Sequence, residues 1–247
     1  FAGRNRSATH VAFASTRVMA TCAVVGQGVG TAAAHAVAAK LTPAALATDA
    51  GAMRAIRRRL LRDDCYLISA VHDDDKDVAR LARVKASSEQ SRGAAQHILT
   101  GQTRAVHGPR GATRDRAHAD GDTHRWMSDP TAGLPAWIEL RWDQPIHPRI
   151  VQLIFDTGLH RVLTLSHSDA YVERMHYGRP QPETVRDYTI AVTCDDHWRD
   201  LALVSGNYQR RRVHTFEDVP ATSALRITVH ATQGIDHARI CEVRVYE

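Results

Sequence analysis

The sequence predicts a mainly β chain with a small α-helical N-terminal part, the β portion being an antiparallel sandwich of the jelly-roll type. Three observations predict it. Residues 18–39 carry no charged side chain and are dominated by Ala, Gly, Val and Thr. Residues 43–62 repeat apolar side chains at helical steps. Beyond about residue 80 the pattern changes to short segments of alternating polarity separated by turn residues.

Taken in order, the run from Val18 to Ala39 has the length of a membrane span, which needs ~20 apolar residues. It contains no Leu, Ile or Phe, no Trp or Tyr belt, and His35 sits inside it. Transfer into lipid is therefore weakly driven, and a buried helix packed against a sheet or a cofactor is expected, with no membrane partner. Pro43-Ala44-Ala45 opens the next helix, expected over 43–62, because proline is tolerated in a first turn. Leu46, Met53, Ile56, Leu60 and Leu61 form its apolar side, and Arg54, Arg57, Arg58 and Arg62 its other side. Asp73-Asp74-Asp75-Lys76-Asp77 reads as a solvated connection. The expected division is 1–70 for the helical part, 71–80 for an acidic linker and 81–247 for the sandwich. Predicted strands are Ala136–Trp142, Ile150–Phe155, Val185–Thr193, Leu201–Val204, Ala224–Thr232 and Arg239–Tyr246. In Ala224–Thr232, Leu225, Ile227, Val229 and Ala231 alternate with Arg226, Thr228 and His230, a period of two. Such strands without helical patterns between them indicate an antiparallel sandwich. Gly101–Gly121 reads as a long loop or insertion.

Composition narrows the function. Hydrophobic residues make up 43% and charged residues 24% of 247, which argues for a folded chain. No initiator Met, basic n-region or apolar h-region opens the sequence; the expected localisation leans cytoplasmic, and the chain is expected to begin inside a longer protein. The net charge is +5, and the only lysines are Lys40, Lys76 and Lys85. GC-rich coding accounts for that arginine skew as well as anion binding does. Arg57-Arg58-Arg59 and Arg210-Arg211-Arg212 lack the interleaved aromatics of a single-strand-binding groove, so no nucleic-acid partner is expected. Cys22, Cys65, Cys194 and Cys241 form no CxxC pair, so no structural metal is expected and the cysteines read as mostly buried free thiols.

Gly26-Gln27-Gly28-Val29-Gly30-Thr31 has the look of a dinucleotide fingerprint, but Thr31 stands where the last Gly belongs, and Asp49 lies in helix-like sequence rather than after a strand. The longer stretch is more informative. Phe1-Ala2-Gly3-Arg4-Asn5, Ser7, Thr9-His10, Ser15-Thr16-Arg17-Val18-Met19-Ala20-Thr21-Cys22, Gly26-Gln27 and Gly30-Thr31-Ala32-Ala33-Ala34 together resemble the C-terminal flavin-contacting segment of FAD-dependent oxidoreductases. The resemblance implies FAD as cofactor, with Gly3, Arg4 and Ser7 along its ribityl or pyrophosphate portion. It implies backbone contacts from Met19, Ala20, Thr21 and Cys22 at the ring, and His10 and Arg17 as the catalytic side chains facing flavin or substrate. A helix starting near Ala20–Cys22 would aim its unpaired N–H groups and positive dipole end at the ring. The strand, Gly-rich turn and helix that hold the ADP half of FAD in such enzymes have no counterpart in the sequence. The resemblance therefore implies helices from an incomplete FAD-binding α/β domain, a missing N-terminal flavin domain as partner, and a fragment inactive by itself. Asp63 and Asp64 fit an acid/base pair by residue type, although adjacent carboxylates do not face each other and a capping role suits them better.

Ala86-Ser87-Ser88-Glu89, Thr123-His124-Arg125-Trp126-Met127-Ser128, Trp137-Ile138-Glu139-Leu140 and Ile150-Val151-Gln152-Leu153 resemble the discoidin-like, coagulation-factor type-C galactose-binding sandwich. Such sandwiches bind glycans, lipids or proteins, or pack against a catalytic domain. The family's calcium-associated Asp-Gly turn is replaced here by Leu99-Thr100-Gly101, and Asp120-Gly121-Asp122 offers fewer oxygens than calcium takes. His160, His167, His176 and Tyr177, with Asp169 and Glu173, share one insertion-like stretch that reads as a polar loop. In Gly206-Asn207-Tyr208-Gln209-Arg210, Tyr208 would stack a sugar while Asn207 and Arg210 hydrogen-bond it; turn chemistry alone would also place Gly and Asn there. Trp126, Trp137 and Trp142 are further candidate stacking platforms.

The function expected is the C-terminal part of an FAD-dependent oxidoreductase acting on a small organic or sugar-like substrate, with an accessory sandwich. The alternative is a non-catalytic carbohydrate-binding module.

Overall fold

The computed structural model describes residues 2–68, 70–103, 124–159, 167–195 and 197–247. The chain divides into two compact units, Phe1–Leu67 and Ile68–Glu247.

The first unit is helical: α1 (His10–Thr16), α2 (Met19–Ala39), α3 (Pro43–Thr48) and α4 (Ala50–Arg62). Short polar side chains begin three of them. Thr9 accepts from Ala12 N, Thr42 from Ala45 N and Asp49 from Ala52 N at 2.9 Å, each satisfying an orphan donor of a first turn. The single helix expected over 43–62 is two, because Asp49 takes an extended conformation (φ −86°, ψ 105°) and turns its carboxylate to cap α4. Ala52, Ile56 and Leu60, four residues apart, share one face of α4 and bury it with Leu46 and Ala36. Each large aliphatic buried there contributes about 1.5–3 kcal/mol.

The expectation of a buried α2 is not met within this unit. Ala36 is its one buried residue, and Met19, Val24 and Val37 stand exposed. The physical reason is its composition: Ala, Gly and Val are spread around the whole helix, so no single apolar stripe exists for α3 and α4 to cover. By length and composition alone α2 is apolar enough to cross a membrane. Its C-terminus is closed by Lys40 in the left-handed conformation (φ 53°), whose N–H reaches the carbonyls of Ala36 and Val37.

The second unit is a sandwich of two antiparallel sheets, one ordered β1-β3-β8-β5-β6 and the other β2-β9-β4-β7. The strands are β1 (Arg83–Ala86), β2 (Trp126–Met127), β3 (Ala136–Ile146), β4 (Ile150–Phe155), β5 (Val185–Cys194), β6 (His197–Val204), β7 (Arg211–Thr215), β8 (Thr222–Thr232) and β9 (Arg239–Tyr246); one short helix, α5 (Asp169–Met175), precedes β5. All six predicted strands are present. Ile138 on β3 and Ile190 on β5 both pair with Ile227 on β8, and with Leu140, Leu225, Val229, Leu153 and Val243 they form the core between the sheets. The strands absent from the prediction are β1, β2 and β7. All three are edge strands of two to five residues, and β1 and β7 carry Arg or Lys; charged, short edges are how sheets avoid pairing with other chains, and they are too short to show a run of alternation.

The acidic run 73–77 differs from the solvated linker expected. It belongs to the sandwich unit, and Asp77 is buried. Oδ1 of Asp77 accepts from Ala79 N at 3.1 Å and from Val245 N on β9 at 2.9 Å, while His72 Nε2 lies 3.7 Å from Oδ2. Burial pushes the Asp77 carboxyl up to about 7. None of the four cysteines forms a disulfide, but Cys241 alone is buried; Cys22, Cys65 and Cys194 are half-buried, against the expectation of mostly buried thiols.

Candidate functional site

In the helical unit the residues singled out for flavin contact gather before and at the start of α2. Val18 occupies the N-cap position with no side-chain cap, so the N–H groups of Met19, Ala20 and Thr21 lack both an intrahelical acceptor and a capping oxygen. Met19 is 89% exposed and Ala20 is exposed. Thr21 and Cys22 are half-buried, their side chains bonded to the carbonyls of Ser15 and Thr16. Gly3 takes φ +68°, a conformation open to glycine. Arg4, Ser7 and His10 are exposed. Arg17 is exposed too, and its guanidinium lies 5.3 Å from the ring centre of Phe13.

Gly26, Gly28 and Gly30 lie inside α2. Their amides belong to the helix interior, where N–H groups bond to carbonyls one turn earlier, so no phosphate-binding turn exists there. Between α2 and α4 a depression of about 430 Å³ is lined by Gly30, Thr31, Ala34, His35, Ile56 and the Arg59–Asp63 pair, bonded at 2.8 Å. That bond gives Asp63 a structural partner, and neighbouring Asp64 sits buried at φ +62°. No acid/base pair is formed by the two.

In the sandwich unit an open depression of about 730 Å³ is lined by Arg179, Pro180, Arg186, Tyr208 and Gln233, with Gly178 and Gly206 at its turns. Both glycines have positive φ (+77° and +69°), and a Cβ at either would meet no atom within 4 Å. The walls are tied together by hydrogen bonds. Gly206 N donates to Asp187 Oδ1, Asn207 N donates to the Arg186 carbonyl, and Gln233 Nε2 donates to the Asn207 carbonyl at 2.6 Å. Asp187 also accepts from Arg186 Nε and Nη2, and these bonds first, then the one from Gly206 N, hold its carboxyl below the usual range.

Tyr208 is 67% exposed and presents its ring at this depression. The roles expected for its neighbours require correction. Asn207 is buried: its amide donates to the carbonyls of Val185 and Gln209, and its oxygen accepts from Gln209 N and Arg212 Nη1. No donor or acceptor remains for a sugar. Arg210 is likewise structural, donating to the carbonyls of Phe155 and Thr103. Trp126 and Trp142 are core residues whose indole N–H groups bond the carbonyls of Ser88 and Val78. Trp137 lies over Arg226 on the outer face of the five-stranded sheet. Sequence reasoning missed Arg179, Arg186 and Gln233; the turn dipeptides Gly178-Arg179-Pro180 mark one wall, and nothing marks the other two.

His160 and Asp120-Gly121-Asp122 lie outside the described residues. His176 ends α5 in the left-handed conformation, and Tyr177 beside it is exposed. Among the described residues no group of three or more His, Cys, Asp or Glu side chains is placed to hold a metal ion.

Fold and site together define a two-part chain: a helical unit with an uncapped, exposed helix N-terminus, and an antiparallel sandwich with an aromatic and basic depression in its loops. Residues 1–60 match the family model of FAD dependent oxidoreductases. Among solved structures, the chain is similar to the family 32 carbohydrate-binding module of Clostridium perfringens NanJ in complex with galactose, at 14% identity and TM-score 0.49, covering 70% of this chain and 98% of that one. It is similar to the family 32 carbohydrate-binding module of Streptococcus pneumoniae EndoD at 15% identity and TM-score 0.48, over 69% and 99% of the two chains. A chitosan-binding module of a chitosanase/glucanase from Paenibacillus sp. IK-5 is similar at 16% identity and TM-score 0.47, over 69% and 98%. No curated protein matches the chain. At these identities and scores the sandwich stands on its own sheet order and core.

Proposed function

We propose that residues 1–60 supply the ring-edge part of the flavin site of an FAD-dependent oxidoreductase, and that the sandwich is its accessory module. The observation that carries this is the family match over those residues. The donor set at α2 fits the group. Three backbone N–H groups without helical acceptors, at the positive end of a 21-residue helix, suit the pyrimidine edge of an isoalloxazine, where negative charge gathers on reduction. Bound FAD would accept a hydride or its equivalent from an organic substrate. Met19 to Cys22 would hold the ring edge, Gly3 and Arg4 the ribityl or pyrophosphate portion, and His10 and Arg17 would face the substrate. The described residues of the helical unit contain four helices and no strand. That content supports an ADP-binding part supplied by sequence outside these 247 residues. Expression of the chain with its upstream reading frame, followed by a flavin absorption spectrum of the purified protein, tests the proposal. A bound-flavin spectrum is expected, and a protein that stays colourless after FAD addition contradicts it.

A second reading concerns the sandwich, which acts as a carbohydrate-binding module. The exposed Tyr208 ring in a preformed depression favours it, since an aromatic face stacks on the apolar face of a pyranose. The two readings are compatible when the module holds the oxidoreductase on a sugar polymer. Glycan-array binding by the chain is the expected result, and a blank array contradicts this reading.

A further inference from the structure

The depression beside Tyr208 carries more basic character than stacking on a neutral sugar requires. Two of its side chains are guanidinium groups, Arg179 and Arg186, and none of its lining residues is acidic. Arg179 is exposed, and among the described residues it has no carboxylate partner. Arg186 is about half-exposed; it gives Nε and one Nη2 hydrogen to Oδ2 of Asp187. A guanidinium carries five N–H donors, so the Nη1 edge of Arg186 is left for a second anion. Gln233 donates its Nε2 to the Asn207 carbonyl, and its amide oxygen remains an acceptor for a hydroxyl.

Asp187 does more than neutralise Arg186. By accepting from Gly206 N at 2.9 Å as well, it fixes that arginine to the turn that carries Tyr208. Cation and ring are thus set on one hydrogen-bonded frame before a ligand arrives, which lowers the ordering cost of binding. Arginine suits a planar carboxylate better than a point charge does, because two parallel N–H groups match its two oxygens.

We propose that this depression selects an acidic pyranose, a uronic-acid residue of a glycan. Tyr208 stacks on the ring, Arg179 and the free edge of Arg186 take the carboxylate, and Gln233 accepts from a hydroxyl. The inference rests on the carbohydrate-binding reading above and adds the charge of the ligand to it.

The test is calorimetric titration of the purified chain with a galacturonate trimer and, in parallel, with the neutral galactose trimer. The acidic trimer is expected to bind at least about tenfold more tightly, and to weaken as salt rises, as screened charge pairs do. Arg179→Ala and Tyr208→Ala are each expected to lose about tenfold in affinity for the acidic trimer, with unchanged thermal unfolding midpoints showing that the variants fold. Equal binding of both trimers overturns the selection for charge and leaves sugar binding standing. Binding of neither trimer overturns both. Displacement of the acidic trimer by inorganic sulfate, together with full affinity in Tyr208→Ala, shows a bare anion site and also overturns the proposal.

Discussion

Arg226 and Glu139 face each other across β8 and β3, and two guanidinium nitrogens of Arg226 donate to one oxygen, Oε2, of Glu139, at 3.0 and 2.6 Å. Glu139 is 2% exposed although it lies on the outer face of the sheet. The cover comes from Trp137 and Trp198, whose ring centres lie 4.5 and 4.1 Å from the guanidinium carbon on β8. Ala191, the β5 residue paired with Arg226, is small enough to let Trp198 lean over it.

Removing Arg226 would therefore strand a buried carboxylate, with Arg141 as its remaining partner. Arg226→Ala is expected to destabilise the sandwich by about 2–4 kcal/mol, read by chemical denaturation, whereas Arg226→Ala with Glu139→Gln recovers part of that loss. Equal loss in the single and double variants would show that stacking on the indoles, not the ion pair, is what matters.

Two half-hidden titrations have opposite signs. Asp77 is raised from 3.8 to about 7 by burial. The folded state therefore holds that proton more tightly than the unfolded state does, and the stability contributed is full below pH 4 and lost as pH rises through about 7. Asp77→Asn keeps an oxygen for Val245 N and Ala79 N, and is expected to flatten the stability profile between those limits. An unchanged slope would contradict the assignment.

His214 behaves the other way. Its ring bonds the Tyr188 hydroxyl at 2.9 Å, and burial, with help from Arg212, lowers it from 6.5 to about 4. The neutral ring is the folded form, so this contribution is present above pH 6.5 and lost as pH falls towards 4. His214→Gln is expected to remove that acid-side decline in unfolding measurements, at the cost of lower stability at neutral pH.

Asn207 and Tyr208 are neighbours with separable roles. Asn207→Ala deletes bonds to Val185, Gln209 and Arg212, and is expected to cost about 2–3 kcal/mol because the freed backbone groups are buried. Tyr208→Ala, at an exposed position, is expected to leave stability within about 0.5 kcal/mol of the parent. Denaturation curves for the two variants side by side check both.

The contrast between those neighbours also shows what was legible beforehand. Strands such as Ile150–Phe155 and Arg239–Tyr246 were readable to the residue, because Val151, Leu153 and Phe155 of β4 and Val243 and Val245 of β9 alternate into the core. Edge strands β1 and β7 were not: β1 alternates Arg83 and Lys85 with Val84 and Ala86 over only four residues, and β7 half-buries Arg211 and Arg212 while exposing Val213, the reverse of what polarity suggests. The turn at 206–210 was recognised as special, but spacing does not tell an asparagine serving a sugar from one serving the backbone. The depression joins residues 178–180, 186, 206–208 and 233, contributed by separate connections and by the start of β5. No local motif spans them. In the helical unit, Asp49 ends one helix and begins another through its extended backbone and capping carboxylate, which the apolar pattern on either side does not show.

In the proposed flavin site, the N-terminus of α2 stabilises the negative charge of the reduced ring. Val18 is extended (φ −68°, ψ 149°), the conformation that a following proline requires, and Met19 is the first helical residue, where proline is tolerated. Met19→Pro therefore removes one of the three first-turn N–H groups proposed for the ring edge while leaving the helix in place. The decisive measurement is the reduction potential of bound flavin in the upstream-extended chain, with and without this substitution. A more negative potential in Met19→Pro is the predicted result. An unchanged potential, or an extended chain that binds no flavin, would contradict the account.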